Sequence, residues 1–127
     1  MPHFTMRVDE AVLDGATEPR LQSALTDAVG SVFGPELRAL AAVDLIGLPA
    51  HRRSVGGKTV AGPYPVVVLS LREGAYHLPH LPDAPARLVA AITEAVTGVL
   101  GEEVREQLVI TLEGVPEGRG GIAGKVV

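Results

Sequence analysis

The sequence predicts an α/β (α+β) domain: one β-α-β unit written twice, giving a four-stranded mixed sheet with two helices on one face. Three observations carry that expectation. Short stretches alternate apolar and polar residues, longer stretches repeat apolar residues at helical spacing, and the second half of the chain repeats the first. Sliding Arg20–Val60 onto Arg87–Val127, a shift of 67 residues without a gap, matches 17 of 41 positions. The matches include Gly34/Gly101, Arg38/Arg105, Gly47/Gly114, Pro49/Pro116 and Arg52/Arg119. Chance matching of apolar residues would not also align glycines, prolines and arginines. We read residues 1–127 as a single domain with repeat units 2–60 and 64–127.

Taken in order, Pro2 to Asp9 alternates as a strand, with Phe4, Met6 and Val8 on one face and His3, Thr5 and Arg7 on the other. Thr17 is placed to cap a helix, with Glu18 and Pro19 suited to its first turn. Leu21, Leu25, Ala28, Val29 and Val32 recur at helical spacing, and Gly34 closes the element. Ala41 to Leu48 reads as a second strand, followed by a turn-rich segment ending in a short hairpin near Gly56-Gly57. The order then repeats. Tyr64 to Leu71 is a strand apolar on both faces, and Gly74 to Pro82 is a proline-rich loop. Asp83 with Pro85 opens a helix carrying Leu88, Ile92, Ala95, Val96 and Val99, which Gly101 ends. Leu108 to Leu112 is the last strand. Two such units leave one sheet face bare, which calls for a partner subunit.

Composition removes several function classes. A net charge of −4 and 3% aromatic residues lack the basic footprint and stacking platforms that nucleic acid requires. No apolar run approaches the roughly 18–20 residues that span a bilayer, and no signal-peptide pattern opens the chain. The absence of cysteine excludes disulfide and thiolate chemistry. A cytoplasmic location is the expectation. His77-Leu78-Pro79-His80 offers two imidazoles but no third ligand, so no metal is expected there. Gly56-Gly57-Lys58 lacks the spacing of a phosphate-binding loop, and its echo as Ala123-Gly124-Lys125 fits a structural hairpin.

The chemistry-bearing stretch is Met1-Pro2-His3-Phe4. Removal of Met1, usual when a small residue follows, would leave Pro2 with a secondary amine in place of an amide. That nitrogen can accept and return a proton if an apolar pocket disfavours its charged form.

A proline opening a strand ahead of tandem β-α-β units resembles the tautomerase superfamily, which includes 4-oxalocrotonate tautomerase, 5-carboxymethyl-2-hydroxymuconate isomerase and macrophage migration inhibitory factor. Met1-Pro2-His3-Phe4 and Tyr64-Pro65-Val66-Val67-Val68-Leu69-Ser70-Leu71-Arg72-Glu73-Gly74 resemble segments of the hydroxymuconate isomerases. Val115-Pro116-Glu117-Gly118-Arg119-Gly120-Gly121-Ile122-Ala123-Gly124-Lys125 resembles the C-terminal hairpin of the oxalocrotonate enzymes. The resemblance implies a cofactor-independent tautomerase or isomerase, assembled as a homotrimer, with Pro2 as general base on a small unsaturated 2-hydroxy or 2-keto acid. Pro65 is internal and its nitrogen inert, so one site per chain is expected. The family's arginine positions hold Val12 and Ala75, and residues among Leu40–Ala42 and Gln107–Val109; Gly120 replaces the hairpin aromatic. The nearest available cations are Arg38 and Arg72, and Tyr76 lies where relatives shape the pocket rim, so Arg38, Arg72 and Tyr76 are the expected substrate contacts. Arg38 recurs as Arg105, which a helix-end charge also explains. Two alternatives share the fold: a trimeric binding or structural protein without catalysis, or a proline-dependent decarboxylase or dehalogenase. A dehalogenase needs a carboxylate to activate water, for which Glu10 and Glu113 are the candidates.

Overall fold

Alternation in the first strand sets the centre of the molecule. Strand β1 (His3–Asp9) turns Phe4, Met6 and Val8 inward, where all three are fully buried. The computed structural model describes residues 1–127, and the elements follow in the order the sequence implies. After β1 come helix α1 (Thr17–Phe33), the short helix α2 (Pro35–Arg38) and strand β2 (Ala42–Leu48). Strands β3 (Ser54–Val55) and β4 (Lys58–Thr59) form a small hairpin. The second unit brings β5 (Val66–Arg72), α3 (Ala84–Leu100) and β6 (Val109–Val115). It ends in a matching hairpin of β7 (Gly121–Ile122) and β8 (Lys125–Val126).

The four long strands lie in the order β2-β1-β5-β6. Within each unit the strands run parallel; the two units meet antiparallel at β1 and β5. The sheet is therefore mixed, with two helices against one face. The core fills the space between: Phe4, Met6, Val67 and Leu69 from the central strands against Leu21, Leu25, Leu88 and Ile92 from α1 and α3. The buried Thr97 hydroxyl donates to the Thr93 carbonyl at 2.9 Å, so a polar group enters this layer without being orphaned.

Strand pairing exposes a local two-fold relation. β5 repeats β1 with Pro65 in the place of Pro2. Thr5 pairs with Val68, its own counterpart, with His3↔Ser70 and Arg7↔Val66 on either side. The Thr5–Val68 pair thus marks the axis. The same relation places Asp9 and Arg72 in equivalent positions at the ends of β1 and β5.

Repeated glycines show why the units match so closely. A Cβ on Gly47 would lie 3.0 Å from the Glu10 Cα, and one on Gly114 would lie 3.2 Å from the Glu73 Cα. The turns after β1 and β5 cross so near the ends of β2 and β6 that only glycine fits there. Both hairpins reverse through two residues of positive φ, Gly56-Gly57 and Ala123-Gly124, the backbone that two-residue hairpin turns favour.

Two local expectations are corrected. The α1 cap is not Thr17, which is the first helical residue; Asp14 does that work. Its Oδ1 accepts from the N–H groups of Thr17 at 2.8 Å and Ala16 at 3.0 Å, because the left-handed Gly15 folds the loop back over the helix start. Asp83 with Pro85 does open α3 as expected, Asp83 at the cap position with its carbonyl accepting from the Arg87 N–H at 3.0 Å. β5 begins at Val66, not Tyr64, because Tyr64 has φ of 40° and Pro65 has no N–H for the ladder.

Asp14 yields a pH prediction. The N–H of Thr17, then the Thr17 hydroxyl and the Ala16 N–H, hold its carboxyl below the usual carboxylate range. A folded-state pKa below the unfolded one contributes stability above the unfolded value and loses it as pH falls through the folded value. Asp14→Ala is therefore expected to lower the urea midpoint at neutral pH, with the gap to the parent closing in acid. A gap that persisted or widened at low pH would refute the assignment.

Candidate active site

Pro2 lies just ahead of β1 and is buried, while Met1 before it is exposed. The Pro2 carbonyl accepts from the Ala42 N–H at 2.9 Å, so the β1–β2 ladder continues through it and fixes its place. Continuing the β1–β5 register from His3↔Ser70 sets Leu71 opposite Pro2 and Arg72 opposite Met1.

Around Pro2 is a cavity of about 410 Å³, within the size range of small-molecule sites. Leu71 and Arg72 reach it from the end of β5, and Ala75 from the 3₁₀ turn Glu73–His77 that follows. Leu37 comes from α2, Leu40 from the link to β2, and Ile122 from the last hairpin; Met1 and Pro2 complete the lining. An adjoining cavity of about 370 Å³ shares Met1, Leu71, Arg72 and Ile122 and adds His3 and Ser70 from the far face of the sheet.

The structure separates the four residues singled out from the sequence. Pro2 and Arg72 line the same cavity. The Arg72 side chain is exposed and forms neither an ion pair nor a side-chain hydrogen bond. Arg38 lies outside that lining. Its Nε and Nη2 reach Asp27 Oδ1 at 2.8 and 2.7 Å, and its stem covers Gly30, where a Cβ would come within 3.0 Å of Arg38 Cβ. The second unit repeats the arrangement: Arg105 pairs with Glu94 at 3.0 Å and with Glu102. Asp27 and Glu94 are separated by the same 67-residue shift as the two arginines. A pairing present in both units, one far from Pro2, is an architectural tie between each helix and the turn that follows it.

Tyr76 is also outside the lining. Its hydroxyl donates to the Glu113 carbonyl at 2.8 Å, tying the 3₁₀ turn to β6. Burial, reinforced by the charges of Glu73 and Glu113, pushes its pKa up to about 12, so it remains a donor throughout the neutral range. His77 Nε2 lies 2.7 Å from Glu73 Oε2, and His3 Nε2 lies 2.7 Å from Asp44 Oδ2 on the open sheet face. No three His, Asp or Glu side chains are grouped to hold a metal ion, and no helix is long and apolar enough to cross a membrane.

Sequence reasoning missed the apolar wall of Leu37, Leu40, Ala75 and Ile122. The residues come from separate segments, and only the 67-residue repeat hints at two of them: Leu37 matches Val104, and Ile122 matches Val55, at equivalent points of the two units.

At the two-fold equivalent of this site the peptide chain itself occupies the ground. The Tyr64 N–H, preceding Pro65, donates to Gln107 Oε1 at 3.1 Å, and the Tyr64 carbonyl accepts from Arg53 Nη1 at 3.2 Å. Val109 N–H donates to the Pro65 carbonyl at 3.1 Å, mirroring Ala42 and Pro2. Asp9 stands where the first site has Arg72, and its Oδ1 is taken by the Ala11 N–H at 2.8 Å. The second location thus has an anion in place of the cation.

No protein-family model matches the sequence, and a search of curated proteins gives no match. Solved structures match over almost the whole chain. A wild-type fused 4-OT solved as an asymmetric trimer aligns at a TM-score of 0.82 and 20% identity, covering 98% of this chain and 94% of that one. Pt0534 inactivated by 2-oxo-3-pentynoate aligns at 0.81 and 22% identity, with the same coverage. The macrophage migration inhibitory factor-like protein from Entamoeba histolytica aligns at 0.74 and 12% identity, covering 99% of this chain and 98% of that one.

Proposed function

From a chain that has the fused fold of the tautomerase superfamily, we propose a cofactor-independent tautomerase or isomerase acting on a small unsaturated 2-hydroxy or 2-keto acid. The observation that carries this reading is Pro2, buried at the floor of an apolar cavity whose one charged side chain is Arg72.

In the proposed reaction Met1 is first excised, which turns the Pro2 nitrogen into a secondary amine. Its apolar surroundings disfavour the ammonium form and keep a neutral amine available as base. That amine takes the enol proton of the acid and becomes an ammonium; the electron pair moves through the conjugated system; the ammonium returns the same proton to carbon. The product is the keto isomer, and atoms and charge balance without a co-reactant. Arg72, free of any carboxylate partner within the chain, binds the substrate carboxylate and steadies the charge that spreads onto the dienolate oxygen. Arg38 and Tyr76, the other expected contacts, would need to release Asp27 and the Glu113 carbonyl to take part.

Trimeric fused 4-OT and the uncovered sheet face support a homotrimer here. A dehalogenase would need a carboxylate beside Pro2, and neither Glu10 nor Glu113 lines the cavity. One observation favours a second reading, a binding protein without turnover: the cavity contains a single cation.

The test is intact mass before and after treatment with 2-oxo-3-pentynoate, the compound that inactivates Pt0534. The expected result is a chain lighter by one methionine that gains one adduct, at Pro2. In parallel, Arg72→Ala is expected to lower kcat/KM toward an enol acid about 10- to 100-fold, as for loss of a charge-assisted contact of ~1.5–3 kcal/mol. Retained Met1 together with turnover would sink the proline-base mechanism.

A further inference from the structure

We propose that Tyr76 is the positioning residue of Arg72: its hydroxyl holds the turn after β5, a task that Asp9 performs in the first unit, and so lets the second unit carry a cation at that place. What this does for substrate binding rests on the proposed tautomerase reading; the hold on the turn does not.

Strands β1 and β5 end alike. Asp9 has φ −52° and ψ 132°, Arg72 has φ −62° and ψ 138°, and each leads into a 3₁₀ turn. In the first unit that turn is Glu10–Val12, and Asp9 caps it, its Oδ1 accepting from the Ala11 N–H at 2.8 Å. So short a turn has few backbone bonds of its own, and a side-chain cap is a large part of what fixes it. Arg72 has the same backbone but a side chain that only donates, and no side chain caps the turn Glu73–His77. A cation at this place therefore costs the second unit the tie between strand end and turn.

The second unit makes its tie from the far end of the turn. Four residues beyond the end of β1, Leu13 meets β2 at Gly47, where a Cβ would lie 3.3 Å from Leu13 Cδ1. Four residues beyond the end of β5 stands Tyr76. Its ring packs against the core, and its hydroxyl donates to the Glu113 carbonyl of β6 at 2.8 Å. Glu113 immediately precedes Gly114, the counterpart of Gly47. A directed hydrogen bond thus stands where the first unit has an apolar contact, in the unit that lacks the cap. The other side-chain tie, His77 Nε2 to Glu73 Oε2 at 2.7 Å, is exposed and spans only the turn itself, so it contributes little and does not reach β6. The turn begins directly after Arg72 and carries Ala75, and both line the Pro2 cavity, so a shift of the turn moves cation and wall together. Both ties are made within one protomer and need no group from a neighbouring copy.

The experiment is a cycle of Tyr76→Phe, Arg72→Ala and the two combined, with amide hydrogen exchange of residues 73–77 measured beside kcat and KM on phenylenolpyruvate. Tyr76→Phe keeps the ring and removes one hydrogen bond. It is expected to speed exchange in the turn about 3- to 10-fold and to raise KM by a similar factor, with kcat within about twofold of the parent. In the Arg72→Ala background the same substitution is expected to change kcat/KM less than about twofold, because the side chain it positions is gone. Arg72→Asp restores the first unit's cap, and with it in place Tyr76→Phe is expected to leave exchange in the turn unchanged. A merely structural residue would lower kcat/KM equally in both backgrounds; that result overturns the proposal, as does an unchanged KM or unchanged exchange in Tyr76→Phe. Turnover that is lost in Pro2→Ala, with turn exchange indifferent to Tyr76→Phe, would discard the positioning role and keep the mechanism. Exchange speeded by Tyr76→Phe and restored by Arg72→Asp, in a protein that turns over no enol acid, would do the opposite.

Discussion

Pro2→Ala is expected to fold as the parent does and to lower turnover of an enol acid about 10²- to 10⁴-fold, the contribution of a positioned general base. The proposed excision of Met1 is expected before alanine as before proline, so the variant would also begin with a free amine. What is lost is the ring. Proline fixes φ near −65° and ties the nitrogen to the backbone, so its lone pair has one direction relative to the cavity. An alanine amine is primary, rotates freely and attracts more water. The residue's backbone anchor, the Ala42 N–H to its carbonyl, survives the change. Circular dichroism establishes that the fold is kept, and kcat/KM on phenylenolpyruvate reads the chemistry. Turnover equal to the parent's would remove Pro2 from the mechanism.

The second large effect is on stability. Phe4→Ala is expected to cost about 3–5 kcal/mol, the usual range for emptying a fully buried aromatic site. Phe4 has no exposed surface and lies in β1, one of the two central strands, with Val43 and Leu69 as its cross-strand neighbours. Those neighbours are held in two ladders and cannot collapse into the space, so the cavity persists. The check is a urea titration in which the midpoint falls while the slope is unchanged. A loss under ~1 kcal/mol would mean that the layer between sheet and helices repacks freely. Because Phe4 shares its face of β1 with Pro2, the same substitution loosens the floor of the cavity.

The architecture was legible because it is written in periodicities that survive without tertiary information. Alternation placed Phe4, Met6 and Val8 inward, helical spacing placed Leu21, Leu25 and Val29, and the repeat supplied the second unit. Finer points were decided in three dimensions. Thr17 and Asp14 both have capping chemistry, and the choice between them depends on the loop geometry set by Gly15. Arg38 and Arg72 are alike as cations near strand ends. What distinguishes them is a partner: Arg38 has Asp27 at a spacing that the second unit reproduces, so the repeat already held that clue. The cavity wall had no such signal, since Leu37, Leu40, Ala75 and Ile122 are ordinary apolar residues in three separate segments.

The relation between Asp9 and Arg72 has a consequence for how the two halves can change. By the local two-fold they are one place seen twice and both border a cavity, yet one is an anion bound to its own turn and the other a cation with no partner in the chain. The two units, alike in layout, thus carry opposite charges at the same place. On the proposed reading a substitution at Arg72 is felt in the binding of substrate, whereas one at Asp9 first removes the acceptor of the Ala11 N–H. The second half of the chain is thereby held to the first by the site itself, since β5 and the last hairpin bring Arg72 and Ile122 to Pro2.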